Sequence, residues 1–421
     1  MSSVLPTDYQ TFIALSRYAR WLEEDNRRET WSESVERYVS FIVKTLKVKH
    51  NYTVASELIT RLTDHITTLK TMGSMRALMT AGPALERCNV AGYNCAYMPV
   101  DSLRAFDETM YILMCGTGVG FSVERNFVDK LPIVNESFEP TSTIITVDDS
   151  KMGWAKALRE YVASLYIGVV PSVSYKLLRP AGARLKTFGG RASGPEPLEE
   201  LFNFIKTLIK KSAGRRLTSL ECHDIMCKIG EVVVVGGVRR SALISLSNLD
   251  DDKMRHAKTG EWWTTTAHRA LANNSTAYDS KPDMGSFMRE WLALYDSKSG
   301  ERGIVNRQAM KAQVAKNGRR SLEQHGKPIP FGVNPCGEII LRPNQFCNLS
   351  EIIVRSTDTR KQLRDKVEVA TILGTFQSCL TDFKYLRKIW KTNTEEERLL
   401  GVSLTGIMDH PVLNGTMTTG L

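Results

Sequence analysis

Five consecutive residues, 334–338, combine three chemically useful side chains. They place an amide at Asn334, a thiol at Cys336 and a carboxylate at Glu338. If the segment is extended, side chains two residues apart project from one face, so the three groups would surround one small ligand. Gly337 leaves the backbone room to approach that ligand. The radical reduction of a ribose is one of the few reactions that use a reactive sulfur beside a base and a hydrogen-bond donor.

Each of the three groups has a role in such a reaction. In a dry pocket, Cys336 could hold a one-electron oxidised sulfur, which water would quench. Glu338 could accept a proton from a sugar hydroxyl, and Asn334 could donate to an oxygen of the same sugar. The alternative for Cys336 is a buried structural cysteine beside a strand, since free cysteines are among the most buried residues.

Two further cysteines, Cys95 and Cys347, could supply electrons. Reduction of a carbon centre needs two electrons, and two thiols that close into a disulfide deliver them and can be reduced again by exchange. Cys347 follows Cys336 by eleven residues, so the chain can loop back and place both sulfurs in one pocket. For Cys95 alone, a structural role is an equal alternative.

Three other motifs have residues of the kinds that bind metals or phosphates. Cys222 and Cys227 flank His223, but their spacing is not a CxxC pair, so we predict core residues and no metal site. In GTGVGF the third glycine of a dinucleotide fingerprint is replaced by phenylalanine. The Gly-Gly turn at 236–241 could bind substrate phosphate or base, or could be a plain turn with solvated arginines; its candidate ligands are Arg239, Arg240 and Ser241.

Composition restricts the class of protein. The chain has 421 residues, of which 42% are hydrophobic, so it can form a large packed core. No apolar run reaches the length of a membrane span and the first residues do not resemble a signal peptide, so we expect a cytoplasmic protein with reduced cysteines. The net charge of +10 favours anionic partners such as nucleotides. Binding to nucleic acid would rest on that charge alone, and we do not expect it.

The pattern of elements predicts an α/β protein. The first 70 residues have helical periodicity, with a capping box at Thr30 and Glu33. Further helices are predicted at 102–115, 153–166 and 198–212, and a surface hairpin or loop at 135–149. A valine run at 231–235, bounded by glycines, predicts a strand buried on both faces. Buried strands that alternate with helices indicate an α/β architecture.

Several blocks of the sequence resemble the adenosylcobalamin-dependent (class II) ribonucleoside-triphosphate reductases of the monomeric type. The blocks span the chain and keep one order: TFIALSRYARWLEEDNRRETW, AGYNCAYMPV, CGTGVGFSVER, DSKMGWAKALREYV, LLRPAGARLKTFGGRASGP, VVVVGGVRRSALISLSN, SGERGIVNRQA, NPCGEIILRPNQFCNLSEI and LLGVSLTGIMDHP. The resemblance implies an N-terminal helical region at 1–70 that packs on the first part of a ten-stranded α/β barrel at 71–421, with a finger loop near 334–338.

The resemblance also implies roles for the site residues. Cys336 would become the thiyl radical, Glu338 the base for the 3′-hydroxyl and Asn334 the amide that holds the substrate hydroxyls. Cys95 and Cys347 would be the reducing dithiol. The further substrate-binding candidates are Asn94, Gly337, Arg239, Arg240 and Ser241.

The implied cofactor is adenosylcobalamin. The implied partners are a ribonucleoside triphosphate as substrate, a deoxynucleotide effector and a thioredoxin-like dithiol reductant.

The chain departs from this family in two respects. Its N-terminal stretch is too short for an ATP-cone domain, so we expect no overall control by ATP and dATP. It also stops soon after LTGIMDHPVL, near the middle of the family's barrel, before most cobalamin contacts. We expect a split or interrupted reductase gene, with a viral origin considered, completed in trans by a C-terminal fragment.

Two alternatives remain open at this stage. The radical could come from a ferritin-like partner protein, since residues that would decide this lie in the missing half. The chain could also be a catalytically inactive fragment that binds nucleotide or a protein partner.

Overall fold

The structure is a computed structural model that describes residues 5–183, 191–235 and 242–417. The predicted turn with Arg239, Arg240 and Ser241 lies outside the described residues. Among the described residues, no helix combines the length and apolar character needed to cross a membrane.

Helices and strands alternate along most of the described chain. The α-helices are α1 (Asp8–Ile13), α2 (Trp31–His50), α3 (Ser56–Thr67), α4 (Met75–Thr80), α5 (Pro83–Arg87), α6 (Arg104–Met114), α7 (Arg125–Val128), α8 (Lys151–Tyr166), α9 (Glu196–Lys211), α10 (Ser219–Val235), α11 (Asp252–Arg255), α12 (Trp262–Thr265), α13 (Met284–Ser297), α14 (Arg307–Asn317), α15 (Arg360–Gln377) and α16 (Lys388–Glu397). The strands are β1 (Trp21–Leu22), β2 (Arg27–Arg28), β3 (Thr71–Met72), β4 (Cys95–Pro99), β5 (Gly118–Ser122), β6 (Glu139–Thr146), β7 (Val169–Ser174), β8 (Leu243–Asn248), β9 (Ala272–Tyr278), β10 (Gly303–Asn306), β11 (Glu323–Gln324), β12 (Lys327–Pro328), β13 (Gly332–Val333), β14 (Ile340–Leu341), β15 (Gln345–Cys347), β16 (Leu349–Ile353) and β17 (Gly401–Thr405).

The chain forms two compact units. Unit 1 consists of Met1–Asn94, Phe346–Lys384 and Trp390–Leu421, and unit 2 consists of Cys95–Gln345 and Tyr385–Ile389.

The core of unit 2 is a run of parallel strands. Neighbouring strands follow the order β4, β5, β8, β9, β10, and every pair is parallel. All residues of β4 and β5 are buried, as are nearly all residues of β8. Parallel strands need crossover connections, and helices such as α6 and α13 supply them. The predicted α/β fold class is therefore confirmed.

The valine run of unit 2 belongs to a helix, and the predicted strand at 231–235 is wrong. Helix α10 begins at Ser219 and continues to Val235. Its buried residues include Cys222, Ile225 and Ile229, so this helix is apolar on most of its surface. A short apolar run has no periodicity that separates a buried helix from a buried strand, and here the preceding helix extends into it.

The polar segment 135–149 also differs from its prediction. It contains β6, which pairs with β7 in parallel across the intervening helix α8. A local hairpin would pair antiparallel strands, so the pairing here is a crossover. The prediction of a helix at 153–166 is confirmed within α8.

Unit 1 joins the N-terminal helices to a later part of the chain. Helix α2 begins at the predicted capping box, in which the Thr30 side chain accepts from the Glu33 amide and Glu33 accepts from the Thr30 amide. A sheet of order β17-β16-β3 carries α15 on one side, and β16 pairs in parallel with β17 and antiparallel with β3. The N-terminal residues Thr71 and Met72 thus add a strand beside residues 351 and 352.

Candidate functional site

Cys336, the candidate radical cysteine, lies at the tip of a hairpin in unit 2. Strands β13 and β14 pair antiparallel, with Val333 opposite Ile340. At the tip, the Gly337 amide donates to the Asn334 carbonyl at 2.9 Å, and Gly337 has a φ of +87°. The segment is therefore a turn, and the condition of an extended segment, under which the three side chains would project from one face, is not met. Left-handed φ at Gly337 closes the turn without strain, since glycine has no Cβ.

Glycines on β5 let this hairpin lie directly on the sheet. A Cβ on Gly120 would overlap the Val333 carbonyl oxygen, and a Cβ on Gly118 would come within 3.0 Å of Pro335 Cγ. Positions 118 and 120 share one face of the strand, so that face has no side chains in the path of the hairpin. The hairpin thus runs antiparallel to β5, from the carboxyl end of the strand to its amino end.

The same geometry brings the hairpin tip to Cys95. Cys95 begins β4 and is paired in register with Gly118, on which Pro335 packs. Tyr97, two residues after Cys95, faces the hairpin, because a Cβ on Gly332 would overlap its ring. Cys95 and Tyr97 project from one face of β4. Within unit 2, the structure therefore brings Cys95 to the side of the sheet and the strand end that the loop of Cys336 approaches.

Burial separates the three groups at the tip. Asn334 is fully buried; its Oδ1 accepts from the Ile339 amide at 2.9 Å, and its Nδ2 has no hydrogen-bond partner among the residues that the structure describes. Cys336 and Glu338 are exposed, and so is Gly337. The sequence placed Cys336 in a water-poor pocket, but in this chain its side chain faces solvent. Asn334 thus presents a buried donor beside an exposed thiol and carboxylate.

Two predicted site residues, Asn94 and Cys347, belong to unit 1. Cys347 is buried, and Asn94 is half-buried with its Oδ1 accepting from the Ser74 hydroxyl at 2.6 Å. The Ser74 amide donates to Gln377 Oε1 at 2.8 Å, and Gln377 Nε2 donates to Asn348 Oδ1 at 2.7 Å. One network within unit 1 thus connects Asn94 with the residue that follows Cys347. The pairing of Cys347 with Cys95, which belongs to unit 2, stays a prediction.

Residues that hold the hairpin were not identified from the sequence. Arg307 Nε donates to the Phe331 carbonyl at 2.7 Å, and its two Nη atoms donate to the Glu124 carboxylate at 3.0 and 2.6 Å. Arg320 Nη1 donates to the Ile340 carbonyl at 2.8 Å. The alternation of glycines at 118 and 120 was the available signal for a close backbone approach, but no pattern indicates which arginines hold the hairpin.

The remaining cysteine motif lies in the core of unit 2. Cys222, His223 and Cys227 are fully buried in α10, and burial lowers the pKa of His223 to about 3 and raises the pKa values of both thiols. In the described part of the chain, no group of three or more His, Cys, Asp or Glu side chains could hold a metal ion.

A cleft of about 660 Å³ lies at the carboxyl ends of β5, β8 and β9. Its lining includes the carboxylates of Glu124, Asp250, Asp252 and Asp279. Each is already paired with an arginine, as Glu124 and Asp279 are with Arg307. The loop of Cys336 and the residue Cys95 lie toward the opposite end of β5, where Gly118 lies.

Comparisons with known proteins reveal relatives over nearly the whole chain. The adenosylcobalamin-dependent ribonucleoside-triphosphate reductase of Lactobacillus acidophilus is 29% identical in an alignment that is 465 positions long, gaps included, and covers 93% of this chain. The enzyme of the same name from Lactobacillus leichmannii is 28% identical over 460 residues. The chain spans about 60% of the length of these curated relatives. No protein-family model matches the chain.

Solved structures give the same answer for the fold. A B12-dependent (class II) ribonucleotide reductase superposes with a TM-score of 0.78 at 24% sequence identity, over 94% of this chain and 62% of that one. The alpha subunit of the class Id ribonucleotide reductase of Actinobacillus ureae has a TM-score of 0.51 at 11% identity. The resemblance predicted from the sequence motifs is therefore confirmed, and the fold is that of a ribonucleotide reductase.

Proposed function

We propose, from its likeness in sequence and fold to the adenosylcobalamin-dependent ribonucleoside-triphosphate reductases, that this chain carries the reacting cysteines of such an enzyme. The observation that carries the proposal is the hairpin of unit 2. It lies on the glycine face of β5 and brings the loop of Cys336 to the strand end where β4 begins with Cys95. Few structural roles explain an exposed thiol at a turn beside a buried, unpartnered amide.

In this proposal, the hairpin tip activates the ribose. Cys336, as a thiyl radical, takes the hydrogen atom from C3′ of the substrate and returns it at the end of the reaction. Glu338 accepts the proton of the 3′-hydroxyl. Asn334 holds the sugar oxygens through its buried Nδ2, which would be satisfied by a bound substrate. Gly337, with open space where a side chain would be, lets the backbone approach the ribose.

The dithiol of Cys95 and Cys347 supplies the two electrons. The 2′-hydroxyl leaves as water, the 2′ carbon gains a hydrogen, and the two thiols close into a disulfide, so atoms and electrons balance. An external thioredoxin-like dithiol then reduces that disulfide by exchange. Within unit 1, the hydrogen-bond network from Asn94 to Asn348 holds the residue that follows Cys347.

The exposed tip fits the approach of the proposed cofactor. Cys336 and Gly337 are exposed, and the space beside Gly337 is open, so this part of the chain can face a large group. Bound adenosylcobalamin would supply the radical that oxidises the thiol. A completed site must also exclude water from Cys336, and we propose that the C-terminal part of the enzyme does so in trans. The substrate is a ribonucleoside triphosphate and the effector a deoxynucleotide, both in the cytoplasm.

Reconstitution tests this proposal. The chain is combined with the C-terminal part of a reductase, either from the adjoining reading frame or from a lactobacillal relative, and conversion of CTP to dCTP is measured with adenosylcobalamin and a dithiol. We expect turnover only when both parts are present. Turnover by this chain alone would contradict the division into two polypeptides. Turnover that ignores adenosylcobalamin and needs an iron or manganese protein would identify a ferritin-like radical source instead.

Replacement of the radical cysteine gives the sharpest prediction. Cys336→Ser should lower kcat by more than about a thousandfold, because a hydroxyl does not replace the thiol in radical transfer. Cys379→Ser is the matched control: Cys379 is half-buried, its thiol contacts the Thr375 carbonyl, and serine can keep that bond. Equal turnover by both variants would favour the inactive-fragment alternative.

A further inference from the structure

Arg307 and Glu124 form a buried ion pair beside the hairpin of unit 2. Their side chains are 2% and 4% exposed, and both carboxylate oxygens of Glu124 accept from the guanidinium group. The Ser122 hydroxyl donates to Glu124 Oε2 at 2.7 Å, which attaches the pair to the end of β5. Asp279, after β9, accepts from Arg307 Nη1 at 2.8 Å. The pair is thus fixed to two strand ends of the sheet.

The guanidinium group has one further partner, the backbone of the hairpin. Its Nε donates to the carbonyl of Phe331, the residue before β13, at 2.7 Å. On the other strand, Arg320 donates to the Ile340 carbonyl and lies 5.2 Å from the Phe331 ring centroid. Arg307 is the first residue of α14 and Arg320 follows the end of that helix, so each strand of the hairpin has a backbone carbonyl group that accepts from an arginine in this part of the chain.

Apolar packing also restrains the hairpin, since Phe331 is buried with Val314 and Ile329, and Ile340 packs against this cluster. Strands β13 and β14 contain two residues each, and a hairpin of that length is marginal by itself. The sheet beneath it presents Gly118 and Gly120, which supply space and no interlocking side chains. A guanidinium group offers donors in a rigid fork, so an arginine held by a buried carboxylate fixes its third partner precisely in space.

We propose that Arg307 and Glu124 are positioning residues for Cys336. They fix the Phe331 carbonyl relative to β5. The backbone of residues 331–336, which lies against Gly118 and Gly120, transmits this restraint on position to the thiol. The assignment of a catalytic purpose rests on the proposed function, whereas the restraint on the hairpin does not. Removal of the guanidinium fork should loosen the hairpin while the rest of unit 2 stays folded.

Hydrogen exchange on the full chain tests the restraint directly. Arg307→Lys keeps the positive charge beside Glu124 but loses the fork. We expect amides of residues 331–341, including Ile339, to exchange about tenfold faster. The rate of alkylation of the Cys336 thiol, measured by mass spectrometry, should change by a similar factor because the tip of the hairpin moves relative to the sheet.

Arg302→Lys is the matched control. Arg302 is 2% exposed, makes the same two-pronged contact with buried Glu290 at 2.6 and 2.7 Å, and binds backbone carbonyls at 248 and 249. Its loss should cost comparable stability, yet exchange at 331–341 should stay within about twofold of wild type. Equal acceleration in both variants would overturn the proposal, as would unchanged exchange in a folded Arg307→Lys protein.

Glu124→Gln serves if Arg307→Lys does not fold. It keeps the size of the side chain and weakens the contacts of its head group with Arg307 and with the Ser122 hydroxyl, so exchange at 331–341 should rise about threefold. Unchanged exchange in folded Glu124→Gln would also overturn the proposal.

In the reconstituted enzyme, Arg307→Lys and Glu124→Gln should each lower kcat and leave KM within about twofold of wild type, since the substrate contacts remain. A loosened hairpin without turnover in any sample, wild type included, would reject the proposed function and leave the positioning role intact.

Discussion

Asp107 is a carboxyl group that the fold of unit 2 removes from water. It lies on α6, accepts from the Tyr385 hydroxyl at 2.6 Å and contacts Arg104 Nε at 3.1 Å. Burial raises the pKa of Asp107 to about 6 from 3.8, and the bonds from Tyr385 and Arg104 only partly oppose this rise. The folded state thus favours the protonated acid. This contribution to stability is complete below pH 3.8 and is lost as the pH rises through 6.

The substitution Asp107→Asn should therefore change the pH dependence of stability. Asparagine cannot ionise, so the free energy of unfolding of the variant relative to wild type should increase by about 2 kcal/mol between pH 4 and pH 7. Urea titrations at the two pH values measure this difference. A constant difference across that range would contradict the raised pKa.

Asp224 gives a control of opposite sign. Burial opposes ionisation there too, but hydrogen bonds from Arg269 and His268 lower the pKa of Asp224 to about 2. Its stabilising contribution is present above pH 3.8 and is lost as the pH falls toward 2. The cost of Asp224→Asn should therefore be greater at pH 7 than at pH 3.

At the scale of elements, the decisive feature is a strand, β5, with two glycines on one face. Gly118 and Gly120 cost β5 some intrinsic stability, because glycine is a poor strand former. In return, the backbone of residues 333–335 lies directly against the sheet. The motif GTGVGF, which fails as a dinucleotide fingerprint, is explained by this close approach.

Gly120→Ala should displace the hairpin. The new methyl group would overlap the Val333 carbonyl oxygen, and a backbone group cannot rotate away as a flexible side chain can. We expect a loss of about 2 kcal/mol or more in the free energy of unfolding, with faster exchange at 331–341. Thermal and urea unfolding measure the loss.

Gly285→Ala is the matched control. Gly285 lies in α13, and its nearest neighbour is the flexible side chain of Asp283, with Oδ1 3.2 Å from the new Cβ. Alanine favours a helix over glycine by up to about 1 kcal/mol, so this variant should be neutral or more stable. Equal losses in both glycine variants would show that space on β5 is not the cause.

At the scale of the whole molecule, residues distant in sequence assemble unit 1. Gln377, at the end of α15, accepts from the Tyr38 hydroxyl at 2.6 Å and the Ser74 amide at 2.8 Å. It donates to Asn348 and to the Leu349 carbonyl. One buried amide thus joins α2, the start of α4 and the segment after Cys347. Every donor and acceptor of its side chain is used, so its removal leaves several buried groups unpaired.

Gln377→Ala should cost about 2–4 kcal/mol in the free energy of unfolding, because it leaves a cavity and buried polar groups without partners. Gln313→Ala, in the exposed part of α14, is the control and should change stability by less than about 0.5 kcal/mol. Urea unfolding compares the two. A loss below about 1 kcal/mol for Gln377→Ala would show that the network is not a main stabilising element of unit 1.

The sequence by itself determined the elements with strong local signals and the resemblance to a family of reductases. The capping box at Thr30, the helix within 153–166 and the α/β class were predictable, because capping and periodicity are local properties. The types and spacing of Asn334, Cys336 and Glu338, with the blocks around them, indicated a reductase.

Only the tertiary structure decided how those groups are held. The valine run is helical because helix α10 continues into it from Ser219, whereas the run by itself has no pattern that separates a buried helix from a buried strand. Residues 334–338 form a turn because the hairpin crosses the sheet where Gly118 and Gly120 leave room. Arg307 and Glu124 are 183 residues apart, and a buried ion pair between such distant positions has no local pattern. Its attraction is strong only in the low-dielectric interior, which exists only after the chain has folded, and that attraction must offset the cost of removing both charges from water.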